Sequence, residues 1–434
     1  MVDLLFTFTY SANLLIFIAL FLGCCGWTYY SFKKKPSLLI IPPLVIQALL
    51  LVIFVRIASL NTDEVEHLHC AWLVGQGLVP FRDFWQHHSP LLWALLAPLL
   101  KMAKPSAGIL DISRFFSLGV SALSVLVGWR IARKVWRQDA HLPTYLLMIF
   151  SVSIGAEFFL LRPDIFMTLC LLTGIYVSLS IPRGGSLVVF SAGVFFALAM
   201  SFIFKQYGMV LLPLIVLCIY KRRGALCRGL LAYAAGLGIG FLPLSVYLVR
   251  NHIVKDFVEW VILSNRERVV IAVLFPLGVL LVGGWGAWRL YRRVRSGGEA
   301  SSLVFLIAFL LSSASSFTGC MYPAGGYYLQ FWLVLCSVVA SGGIFFVIAD
   351  TVGAFFKKTL ALATVFALLI GPPLIFTIAQ RENGFARDKE VIAGLIKYTR
   401  GDTCVAFLPL HPIFSHDATR MYSTWQYVLS DQFR

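Results

Sequence analysis

Long apolar runs, each about the length of a bilayer crossing and cut by short polar stretches, dominate the sequence. A spanning helix needs about 20 apolar residues, within a range of about 17–25. Twelve runs qualify, at roughly 4–30, 37–60, 111–128, 142–160, 165–181, 186–204, 208–220, 229–249, 270–290, 302–318, 327–348 and 359–379. The run at 208–220 is short, and single charges at Arg162 and Lys205 make the neighbouring cuts. Between the second and third runs the pattern changes. Asn61-Thr62-Asp63 offers a helix N-cap, and residues 63–76 have helical composition ending at Gly75 and Gly77. Ser89-Pro90 reads as a cap followed by proline at the first helical position. The segment 90–100 is too short to span. These patterns predict two short helices lying at the membrane surface.

Composition agrees with the pattern. Of 434 residues, 59% are hydrophobic and 13% charged, against about 25% charged in soluble domains. The fold class is therefore an all-α polytopic membrane protein of about 12 transmembrane helices. The net charge of +16 does not point to nucleic acid, because cytoplasmic loops of such proteins collect Lys and Arg. Half of the 36 basic residues fall in alternate loops: Lys33-Lys34-Lys35, Arg130/Arg133/Lys134/Arg137, Arg183, Lys221/Arg222/Arg223/Arg228, Arg289/Arg292/Arg293/Arg295 and Lys357/Lys358. Placing these in the cytoplasm puts 61–110, 162–164, 205–207, 250–268, 319–326 and 380–434 on the outer face. The first basic residue, Lys33, follows the first apolar run, so residues 4–30 read as a retained helix rather than a cleaved signal. The nine cysteines form no metal-type pair and no evident disulfide framework.

That topology collects polar residues on one side. The loop after residue 60 carries Asp63, Glu64, Glu66, His67, His69, Asp83, His87 and His88. Asp63 and Glu64 follow a spanning run directly. They read either as acids favoured by a helix N-terminus or as a carboxylate base at the membrane–water boundary. His67 and His69 read most simply as polarity on a surface helix, and the histidine spacings match no standard zinc pattern. His87 and His88 precede a helix start, where a phosphate is favoured; the plainer alternative is interfacial polarity. Arg162-Pro163-Asp164 and Lys205-Gln206-Tyr207-Gly208 sit between apolar runs. They read as a local salt bridge and a snorkelling lysine, or as ionisable groups facing a substrate.

Outer-face carboxylates, nearby cations and a lipid-immersed body suit a substrate with a greasy tail and an anionic head, such as a sugar on a polyprenyl phosphate. Here the residues resemble a family. "DEVEHLHCAWLVGQGLVPFRDFWQHHSPLLW" is similar to the first outer loop of GT-C class integral-membrane glycosyltransferases, bacterial relatives of the protein O-mannosyltransferases and of the lipid A aminoarabinose transferase. "RPD" and "KQYG" resemble further landmarks, and the likeness extends over roughly residues 37–350. The resemblance implies transfer of a hexosyl or pentosyl group from a polyprenyl-phosphate donor to a lipid, glycan or protein acceptor. It implies Asp63 as the acceptor base with Glu64 assisting. His87, His88, Arg162, Asp164, Lys205 and Tyr207 would bind substrate. No metal ligand is assigned and no cofactor is required by the sequence; a divalent metal stays open, since some class members need one.

The expected organisation is an extra N-terminal helix (1–36), a GT-C-like transmembrane domain (37–379) and a small extracytoplasmic C-terminal segment (380–434). The expected location is the inner cell membrane, with the active site facing the periplasm and membrane lipids around it. Alternative functions are a flippase or transporter of lipid-linked sugars, a glycan polymerase or ligase, and a non-catalytic scaffold. An internal repeat would favour a transporter, and none is evident.

Overall fold

The computed structural model describes residues 41–84, 86–103, 106–136, 142–153, 157–263, 277–296, 299–319, 330–350, 384–399, 403–404 and 416–417. The predicted segments 4–30 and 359–379 lie outside these residues, as do His411 and Arg420 of the tail. The described residues are mostly helical, with one two-residue parallel strand pair, β1 (Thr403–Cys404) with β2 (His416–Asp417). The helices are α1 (Ile41–Ile57), α2 (Thr62–Gly75), α3 (Leu91–Met102), α4 (Gly108–Trp136), α5 (Leu142–Ser153), α6 (Pro163–Ser178) and α7 (Ser186–Phe202). After a 3₁₀ turn (Tyr207–Val210) come α8 (Leu211–Tyr220), α9 (Arg223–Arg250), α10 (Val254–Phe257), α11 (Leu277–Arg295), α12 (Ala300–Gly319), α13 (Gln330–Asp350) and α14 (Gly384–Thr399).

By length and composition, α4 and α9 can each cross a bilayer. Their outward faces stay apolar: Phe115 and Leu123 on α4, and Leu231, Val246 and Val249 on α9, are exposed. An apolar solvent satisfies such faces, provided the backbone is bonded within the helix. The third predicted run was drawn too short. α4 continues from residue 128 to Trp136, through the basic residues assigned to a loop. Its end is pinned by Trp136, whose Nε1 donates to the Val338 carbonyl at 2.9 Å, and by Ser302, whose hydroxyl donates to the Val135 carbonyl at 3.1 Å. The fourth run extends too far, since residues 157–160 form a turn.

α7 packs tightly against α9. Small residues permit this, as in other apolar surroundings where backbones must approach. A methyl added at Gly236 would strike the Phe190 carbonyl oxygen, and one at Gly193 would lie 2.7 Å from the Tyr233 carbonyl. At Gly238, on the same helix, a methyl would meet nothing within 4 Å. Gly236→Ala should therefore lose about 1–3 kcal/mol to overpacking. Gly238→Ala should be neutral or slightly stabilising, since alanine favours helix. Thermal unfolding of the two variants in detergent checks the contrast, and equal midpoints would contradict it.

The ends of the bundle differ chemically. Lys134 donates from Nζ to the Ser180 hydroxyl at 2.9 Å, and Lys221 donates to the Gly184 carbonyl at 2.9 Å. A cavity of about 420 Å³ opens there between Arg133, Lys134, Arg183, Glu299 and Ser301. Asp164 stands at the start of α6, and Ser178, two residues before Ser180, ends that helix about 21 Å away at 1.5 Å per residue. Basic residues thus gather at one end and the acids and histidines of the first loop at the other.

Candidate functional site

α2 begins as the sequence suggests. The Asn61 side chain accepts from the Asp63 backbone N–H at 3.0 Å, which satisfies one of the orphan donors of the first turn. The helix is not a surface element, however. Glu64, Glu66, His67 and His69 are all buried. Apolar α2 residues Val65, Leu68 and Leu73 share a core with Leu92, Trp93 and Leu96 of α3. The surface-helix expectation is corrected for α2, while α3 keeps an exposed apolar edge at Leu95, Leu99 and Met102. The Ser89 cap is corrected too. The N-cap of α3 is Pro90, and the Ser89 hydroxyl donates instead to the Ser201 carbonyl near the end of α7, at 2.5 Å.

Asp63 sits at the rim, its side chain 26% exposed. Its partner comes from 99 residues along the chain: the Nη1 of Arg162 donates to its Oδ2. Arg162 precedes a proline, which holds it extended, and it is the N-cap of α6 with Pro163 following. Asp164, in the first turn of α6, suits the positive end of the helix dipole. It accepts from Arg162 Nε at 3.5 Å and from Lys205 Nζ at 2.7 Å. Lys205 is placed by a sharp turn. α7 ends at Phe202, and Gln206 takes the left-handed conformation with φ of 55°. Non-glycine residues rarely adopt that region unless their surroundings enforce it. Here the Ser312 hydroxyl donates to the Gln206 side-chain oxygen at 3.3 Å.

The result is an alternating row, Asp63–Arg162–Asp164–Lys205, with two charges of each sign. Arg162 and Asp164 are buried, and Lys205 is 23% exposed. Burial alone would raise the Asp63 carboxyl, but the guanidinium of Arg162 together with the smaller effects of His67 and His87 outweighs it and holds the group below the usual carboxylate range. Asp63 is therefore ionised at neutral pH.

The histidines of the loop meet beside this row. The His87 and His88 rings are 3.9 Å apart between centroids, and His67 and His88 are 5.1 Å apart. Trp93 donates from its indole N–H to His67 Nδ1 at 3.1 Å. Burial pushes the His67 imidazole down to about 4, so it is neutral. Burial, with the charge of Asp63 added, pushes Glu66 up to about 8. Both His67 and His87 feel the charge of Asp63.

The remaining residues singled out in the sequence lie apart. Glu64 faces away from Asp63 and is bound by Arg114 of α4, through Nε at 3.1 Å and Nη2 at 3.1 Å. Tyr207 is 60% exposed and finds no polar partner among the described residues. Sequence reasoning named Glu66 without a role and passed over Arg114, Gln86 and Glu157. A charge inside an apolar helix was the available signal for Arg114. For Glu157, whose carboxylate accepts from the Asn61 amide at 3.4 Å, the same signal applied.

The tail helix α14 lies over this end. Asp388 accepts from the Leu60 backbone N–H at 2.9 Å, Lys389 pairs with Asp111, and the Phe385 ring lies 3.9 Å from the Arg114 guanidinium.

No protein-family model and no curated protein sequence matches the chain. Among solved structures it is similar to the Archaeoglobus fulgidus oligosaccharyltransferase in the apo form, at 13% identity and a TM-score of 0.48, over 85% of this chain and 59% of that one. It is similar to the same enzyme tethered by a disulfide to an acceptor peptide containing the NVT sequon, at 11% identity and a TM-score of 0.49, over 85% and 58%. It is also similar to the archaeal oligosaccharyltransferase AglB from Archaeoglobus fulgidus in complex with an inhibitory peptide and a dolichol-phosphate, at 11% identity and a TM-score of 0.46, over 82% and 56%. The chain thus spans less than two thirds of the length of each.

Proposed function

We propose that the chain is a membrane glycosyltransferase of the GT-C class that moves a sugar from a polyprenyl-phosphate donor to a hydroxyl acceptor on the outer face of the cell membrane. One observation carries the reading: an ionised carboxylate, Asp63, stands at a rim beside buried and half-buried cations, Arg162 and Lys205, at the end of the bundle opposite its basic loops.

The chemistry follows from those charges. An acceptor hydroxyl oxygen bonds to the anomeric carbon as the carbon–phosphate-oxygen bond breaks, and the bonding pair leaves with the polyprenyl phosphate. The hydroxyl proton goes to Asp63. A carboxylate paired with arginine is a weak base. It suffices where attack falls on an oxocarbenium-like carbon, because the hydroxyl then becomes acidic as it bonds. Arg162 and Lys205 oppose the charge growing on the departing phosphate. His87 and His88 would lie along the donor. Glu64, held by Arg114, takes no part in proton transfer.

The test supplies purified protein with labelled polyprenyl-phosphate hexoses and pentoses and a crude membrane acceptor fraction. Transfer of label to a new product is expected, and the product identifies the acceptor. Translocation of the donor across proteoliposomes without transfer would overturn the reading in favour of a flippase.

A further inference from the structure

We propose that Glu66, His87 and His88 form a binding site for one divalent transition-metal ion of the zinc class. Each side chain offers one donor atom, and the three donors lie within 4.8 Å of one another. An ion centred in a triangle with such edges is about 2.8 Å from each corner. Zinc bonds to nitrogen and oxygen run about 2.0–2.2 Å. Ordinary side-chain rotations of under about an ångström close that gap.

The carboxylate is held in place. Glu66 is buried, and its Oε1 accepts from the Gln86 amide at 2.6 Å. Its Oε2 is buried with no hydrogen-bond partner. Buried polar atoms are paired in the great majority of cases, so a merely structural polar cluster leaves this oxygen unexplained. Gln86 also accepts from the His87 backbone N–H, at 3.2 Å. One residue therefore fixes both the glutamate and the backbone of a histidine, as outer-shell groups do around metals.

The donor set selects the ion. One carboxylate and two imidazoles suit zinc, cobalt or nickel, whereas magnesium and calcium prefer oxygen alone. His67 is excluded from the set. Its Nδ1 accepts from Trp93, so the proton of the neutral ring is on Nε2, which then cannot ligate. His87 and His88 are half-buried, which leaves an entry path from the rim. The nearby cations do not repel the ion strongly, since Asp63 and Asp164 balance Arg162 and Lys205. Three protein ligands leave a coordination position open.

The experiment uses the full chain in detergent, stripped with chelator and titrated with cobalt(II) in the absence of any lipid donor. Saturable binding of one equivalent, with visible ligand-field bands of a four- or five-coordinate ion, is expected. Gln86→Leu should weaken binding about 10–100-fold, and Glu66→Gln or His88→Ala should weaken it further. His69→Ala should not change it, since His69 stacks on Trp72 on the same helix. X-ray absorption of zinc-loaded wild type needs no variant and should show imidazole in the coordination shell. No stoichiometric binding by folded wild type, a shell of oxygens alone, or full binding by folded Glu66→Gln would overturn the site. Because no donor is present, a failure here leaves the transferase reading standing, and a failure of transfer leaves the site standing.

Discussion

Asp63→Asn should lower sugar transfer by about 10²–10⁴-fold, the usual contribution of a positioned general base. Asparagine keeps the shape and can still accept a hydrogen bond from Arg162, but it cannot take a proton from the acceptor. The change also leaves the Arg162–Asp164–Lys205 row with one excess positive charge. That charge should favour the anionic donor, so donor affinity is expected to hold or rise while turnover collapses. A loss of binding would instead move both together. Replacing the charged acceptor of a buried guanidinium costs about 1.5–3 kcal/mol, and Asp63 is itself partly exposed. The variant should therefore fold, with a midpoint lowered by a few degrees. The measurement is the initial rate of label transfer at saturating donor, beside thermal unfolding of the same preparation. A folded variant working within twofold of wild type would remove Asp63 from the reaction. Asp63→Glu is the graded companion. It keeps the charge but displaces it by one methylene, and an intermediate rate is expected.

The residues legible in the sequence were those whose chemistry clashes with their neighbours. Arg162, Asp164 and Lys205 interrupt apolar runs, and an ionisable group there needs a partner; they found one another in a single row with Asp63. The Asn61 cap was legible because capping is local. Long-range pairing was not. Nothing in spacing joins Glu64 to Arg114, 50 residues on, or Ser89 to Ser201. Asp63 and Glu64 looked like one unit because they are adjacent. Adjacent helical residues point about 100° apart, and here one faces the rim and the other the interior. The burial of α2 was hidden for a related reason. Its acids and histidines gave it the look of a solvent-exposed helix, yet Glu64, Glu66 and His67 each find a partner inside the protein, in Arg114, Gln86 and Trp93.

That distinction between Asp63 and Glu64 yields the second large effect. Arg114→Met should destabilise the protein by about 3–5 kcal/mol, because it leaves fully buried Glu64, whose carboxyl burial already pushes up, without its cation. The loss reaches further than one ion pair. The guanidinium also donates to the carbonyls of Val55 at 2.8 Å, Ala58 at 3.1 Å and Ser59 at 3.3 Å. These are carbonyls at the C-terminal end of α1, where a helix leaves its last acceptors unsatisfied and favours a cation. Arg114 therefore ties together the end of α1, the start of α2 and the first turns of α4, with Phe385 of α14 stacked on it at 3.9 Å. All of these elements border the Asp63 rim, so transfer should fall along with stability in the single variant. The double variant Arg114→Met/Glu64→Leu separates the causes. Removing both charges should recover much of the stability, since buried ion pairs exchange for apolar groups at little net cost. The uncapped α1 carbonyls should keep the recovery incomplete. If Glu64 is purely a positioning residue, the folded double variant should also recover transfer. A double variant that regains wild-type stability but no turnover would mean that Glu64 assists Asp63 directly, and the division of labour argued from the structure would be wrong.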